Sequence, residues 1–90
     1  MNPCTEKQAS IIAKKCWTKL QAQADFHAWA IGGGFGNQPA HLDKTLATRL
    51  IGPLLEHVRY NNPEKGMQTI NWAREELRLA GYDPNKHPIE

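Results

Sequence analysis

Ninety residues with 40% apolar and 22% charged side chains describe one small globular domain. A two-lobed enzyme is excluded by length, and a membrane span by the lack of any apolar run approaching about 18 residues. The formal charge of +2 is too weak to point to nucleic acid by itself. The opening Met1-Asn2-Pro3-Cys4-Thr5-Glu6-Lys7 lacks the basic-then-apolar pattern of a secretory leader, so a cytoplasmic protein is expected. Cys4 and Cys16 are the only cysteines, too few to staple a secreted scaffold. Cys16 reads as a buried and inert core thiol, and Cys4 as part of a frayed terminus.

An all-α fold is predicted: a bundle of three helices over residues 5–31, 41–61 and 63–80, forming a single domain. Valine occurs only once, at Val58, and no alternating β-branched run is present. The first helix opens with Thr5 and Gln8 at capping-box spacing. Its broad apolar face is Ala9, Ile12, Ala13, Cys16, Trp17, Leu20, Ala24 and His27, with Lys7, Lys14 and Asp25 opposite. The glycines from Gly32 end it, since each costs about 1 kcal/mol relative to alanine inside a helix. A glycine-rich loop over residues 32–39 follows, with Phe35 embedded in it.

The second helix carries an i+4 row of Leu42, Leu46, Leu50, Leu54 and Val58, joined by Ala47 and Ile51. Gly52-Pro53 interrupts that row without changing its phase, so a kinked or a split helix is predicted there. The third helix has Asn62 as N-cap, Pro63 and Glu64 in the first turn, and Gly81 as its C-terminal stop, with Tyr82 able to fold back. Met67, Ile70, Ala73, Leu77 and Ala80 form its inward face, and residues 84–90 read as a tail.

Catalytic signatures fail, and a non-enzymatic protein without cofactor is expected. The glycine run follows a helix and lacks both GxGxxG and GxxxxGK[ST], so it is read as a helix stop and connector. Ser10 lacks a nucleophile-elbow context. Glu75 and Glu76 are neighbours on a helix and point about 100° apart, so they form no acid–base dyad. No CxxC or HxxxH spacing exists; His27 and His41 flank the glycine loop and are the one candidate pair for a metal or small-ligand site, with no ligand set defined. His57 and His87 read as exposed.

A nucleic-acid regulator is the second reading. Residues 46–52 faintly resemble the start of a helix-turn-helix, but Ala47 precedes Gly52 by one position too many. His57 and Arg59 would face the groove, with Lys14, Lys15 and Lys19 on phosphates. The leading reading rests on apolar residues off the core faces. Ile11, Ala22, Phe26 and Trp29 form a second stripe on the first helix, and Trp72 and Leu79 one on the third. A lone three-helix bundle cannot easily cover both. One reading makes the C-terminal half of the first helix central, wrapped by the other elements and the tail; the other makes Phe26, Trp29, Phe35, Trp72 and Leu79 the expected anchors for a protein partner or a homodimer. By size, an adaptor, regulator or inhibitor of phage or mobile-element type fits that description.

Overall fold

The computed structural model describes residues 3–32, 42–60 and 63–84, with residues 57–60 described in backbone only. Among these, four helices occur in the order α1 (Glu6–Cys16), α2 (Leu20–Ala30), α3 (Lys44–Tyr60) and α4 (Pro63–Leu79). The all-α class is as expected; the count of three is not, because the expected first helix is two. α1 packs against each of the other three helices, and α3 packs against α4. The only β-type pairing among the described residues is an isolated bridge between Pro3 and Asp43. None of the described helices is long and apolar enough to cross a membrane.

α1 begins as its sequence dictates. The Gln8 amide N–H donates to the Thr5 hydroxyl at 3.1 Å, and the Thr5 N–H donates to Gln8 Oε1 at 3.0 Å. Each half of this capping box satisfies a donor that the helix start leaves orphaned. α1 then stops at Cys16 with neither glycine nor proline nearby, and Trp17 turns to extended backbone (φ −140°, ψ 146°). The carbonyls exposed by the break find partners elsewhere. Arg74 donates to the Cys16 carbonyl at 3.1 Å, and the Gln23 side chain donates to that of Trp17 at 2.8 Å.

The break re-phases the chain. α1 buries Ala9, Ile12, Ala13 and Cys16, whereas α2 buries Ala22, Phe26 and Ala30. The residues expected to continue the α1 face move outward: Leu20 is 81% exposed, Ala24 is exposed and His27 is half-buried. One straight helix would have left Phe26 outside. Burying such a ring is worth about 1.5–3 kcal/mol, which offsets the few helical hydrogen bonds lost at the link.

α2 ends at Ile31 and Gly32, the latter at φ +94°, a conformation that favours glycine. When the described chain resumes, the Leu42 N–H donates to the Ala30 carbonyl at 2.9 Å, and the Cys4 N–H donates to the Leu42 carbonyl at 2.8 Å. Cys4 is therefore buried and tied down, not frayed. Asp43 caps α3, its carboxylate accepting from the N–H groups of Thr45 and Leu46 at 3.1 and 3.3 Å. α3 runs on through Pro53, so it is not split; Gly52 and Pro53 lie exposed on its outer side, while Ala47, Leu50 and Leu54 are fully buried.

α4 ends in a Schellman motif. The Tyr82 N–H donates to the Leu77 carbonyl at 3.0 Å and the Gly81 N–H to Arg78 at 3.1 Å, with Gly81 at φ +111°. Ala73 and Leu77 are buried and Ile70 packs beside them, but Met67 (45% exposed) and Ala80 point outward, against expectation. Tyr82 does fold back. Its ring centre lies 5.8, 5.4 and 5.1 Å from those of Trp17, Phe26 and Trp29. Its hydroxyl is buried, with no hydrogen-bond partner among the described residues. Pro84, expected at the head of a tail, is buried, and its carbonyl accepts from Arg74 at 2.9 Å and Trp17 Nε1 at 3.4 Å.

Candidate functional site

The outer face of α4 is set by its pitch. Gly66, Ala73 and Leu77 face the core, so Lys65, Gln68, Thr69 and Trp72, at i, i+3, i+4 and i+7, share the opposite stripe. Pro53 on α3 meets this stripe, and the five residues line a groove of about 270 Å³. Trp72 is 37% exposed there, and Leu79, seven residues on and on the same side, is 67% exposed. Between them an ion pair joins the helices, with Arg49 of α3 donating to Glu76 of α4 at 3.1 Å. Glu75 is engaged separately by Arg78, whose Nε donates at 2.9 Å. That hydrogen bond holds the Glu75 carboxyl below its ordinary range and raises the Arg78 guanidinium. The adjacent glutamates thus serve two different arginines.

The other expected anchors are placed differently. Phe26 is fully buried, 5.0 Å from Trp17 between ring centres, so it offers no surface to a partner. Trp29 is half-buried and packs on Phe26 and Tyr82 at 6.0 and 5.1 Å. Phe35 and the rest of the loop beyond Gly32 lie outside the described residues, as do His41, Asn62, His87 and the tail beyond Pro84. The side chains of Val58, His57 and Arg59 do too. Residues 46–52, expected to hold the turn of a helix-turn-helix, lie inside the continuous helix α3, with no turn at Gly52. Lys14 and Lys19 are exposed and Lys15 is half-buried. Lys14 and Lys15 occupy the last turn of α1, where the helix dipole favours cations.

Two further grooves are lined by described residues. One, of about 430 Å³ at the head of α3, is lined by Asp43, Lys44, Thr45, Thr48 and Arg49. Three of its five side chains are already engaged: Asp43 in the cap, Thr48 by Gln8 and the Lys44 carbonyl, Arg49 by Glu76. The other, of about 210 Å³ between α1 and α2, is lined by Ser10, Ala13, Lys14, Leu20, Gln23, Ala24 and His27.

The chemically unusual group is structural. Arg74 is 7% exposed, spans the carbonyls of Cys16 and Pro84, and lies 5.3 Å from the centre of the Trp17 ring. Burial pulls its guanidinium below the ordinary value, opposed by Cys16, Asp83 and Tyr82. Burial likewise pushes the Cys16 thiol up to about 12, with Arg74 opposing, so the thiol is protonated and a poor nucleophile at neutral pH. Among the described residues no three His, Cys, Asp or Glu side chains gather as a metal site. Sequence reasoning overlooked Arg74. Its signal was its register, four residues after Ile70 and three before Leu77, on the edge of the buried stripe. Leu20 was likewise misplaced, as a core residue. No family model, curated protein or solved structure matches the chain.

Proposed function

We propose that this chain is a binding protein, not an enzyme, and that it docks onto another protein through the outer face of α4. The observation that carries the reading is the position of Trp72. Trp17 is buried and Trp29 is half-buried against two rings, whereas Trp72 stays 37% exposed over a groove with Pro53. Leu79 extends the apolar surface along the same helix, and the Arg49–Glu76 pair supplies a polar rim. A partly exposed tryptophan beside a shallow groove, rimmed by charge, is the composition of an interface anchor. Homodimer formation through this face is the self-association form of the same reading.

A photoreactive amino acid in place of Trp72, and separately in place of Glu64 as a control, tests it in an extract of the organism that encodes the chain. The expected result is one discrete protein adduct from position 72 and none from 64. That adduct should be lost when Leu79→Ser is added, with helicity unchanged. Equal labelling from both positions, or an adduct with nucleic acid, overturns the reading.

A further inference from the structure

We infer that the groove between α1 and α2 is a second docking surface, and that its occupant is an acidic amphipathic helix. Leu20 stands at its edge with 81% of its surface exposed, the highest value among the large apolar residues described. It owes this position to the break at Trp17–Lys19, which swings Leu20 off the core face that Cys16 keeps. The groove's lining includes the small side chains Ser10, Ala13 and Ala24. Small residues let a second backbone come close, so an apolar side chain from a partner helix can lie between Leu20 and Ala24.

Charge selects the partner. The lining contains Lys14 and no acidic residue. Lys7, seven residues earlier, projects from the same side of α1, and Lys19 lies exposed at the N-cap of α2. Asp25 is directed elsewhere, accepting from Gln21 at 2.9 Å on a different face of α2. Glu6, four residues before Ser10 in the first turn of α1, shares the Lys7 end of the groove and offsets that lysine, so Lys14 and Lys19 carry the positive charge beside Leu20. A helix with leucines on one face and glutamates flanking them complements both features, and a lysine-flanked helix complements only one. This surface is separate from the α4 face and does not depend on it.

The test uses the whole isotope-labelled chain and two synthetic peptides of about 18 residues, long enough to be helical. They share one leucine pattern, flanked by glutamate in one and lysine in the other. The glutamate peptide should shift the amide resonances of residues 10–27 and leave Trp72 unmoved. Its affinity should fall about fivefold as salt rises from low to near-molar, because the lysines are exposed. The lysine peptide should bind about tenfold more weakly. Leu20→Ser and Lys14→Glu should each weaken the glutamate peptide about fivefold, with the remaining spectrum unchanged. Failure to bind, equal binding of both peptides, shifts centred on Trp72, or stronger perturbation of the same amides by a short DNA duplex would each overturn the proposal.

Discussion

The link between α1 and α2 and the middle of α3 make an instructive pair. The link, Trp17-Thr18-Lys19, contains no conventional breaker, yet the helix stops there. The middle of α3 contains Gly52 and Pro53, yet the helix continues. In the link, stopping lets Phe26 and Ala22 join the core, and Arg74 and Gln23 satisfy the carbonyls that are released. In α3, a split would have taken Leu54 out of phase with Ala47 and Leu50, all fully buried, while Gly52 and Pro53 remain on the outside, where a freed carbonyl can meet water. Punctuation residues bias a helix by about 1–3 kcal/mol, and burial of a core face can outweigh that in either direction.

The strongest test of the link is Phe26→Ala. Because Phe26 is fully buried against Trp17 and Tyr82, the variant should lose about 4 kcal/mol by denaturant unfolding. A loss below about 1 kcal/mol would mean that the break is not there to bury this ring. Arg74→Met comes next. It takes the Arg74 donor from the Cys16 carbonyl, leaves the Pro84 carbonyl only the longer bond from Trp17 Nε1, and should cost about 3 kcal/mol, with Arg74→Lys recovering only part because one ammonium cannot span both.

Alkaline pH probes the same corner with a smaller effect. The Cys16 thiol, raised to about 12 in the folded chain, stays protonated there. In the unfolded chain it ionises near about 8.5. Over that window the unfolded state binds fewer protons, so stability falls as pH rises, by up to about 1.4 kcal/mol per pH unit. Cys4 and Tyr82, also raised by burial, act in the same direction. Urea midpoints measured above pH 8 should therefore decline steadily, and Cys16→Ala should flatten the decline. An unchanged slope would place the thiol in contact with solvent. Smallest is Pro53→Ala in α3. Removing the proline relieves a helix penalty of about 3 kcal/mol but frees the unfolded chain, so a net gain of about 1 kcal/mol is expected. A loss would show that Pro53 supports the Trp72 groove more than it strains the helix.

Local signals were legible in the sequence wherever they acted within a few residues. The Thr5–Gln8 box, the stop at Gly32 and the Gly81–Tyr82 cap all form as their residue types require. The break at Trp17 was not legible, because what favours it is tertiary: burial of Phe26 in the assembled core, and a donor to the released Cys16 carbonyl that comes from Arg74, 58 residues along the chain. That one omission produced the apparent excess of apolar surface on the first helix. It placed Phe26 outside and Leu20 inside, the reverse of the folded arrangement. On α4, a single helix whose phase is never reset, Trp72 and Leu79 lie off the core face as its pitch implies, while Met67 and Ala80, at the two ends of its inward row, turn outward.

The account depends most on where the three indole rings stand. Uniform labelling with fluorotryptophan, each resonance assigned by one Trp→Phe variant, reports this on the intact chain at low micromolar concentration. A soluble paramagnetic agent should broaden Trp72 strongly, Trp29 moderately and Trp17 hardly at all. Broadening of Trp17 or Trp29 as great as that of Trp72 would contradict both the re-phased core and the docking face built upon it.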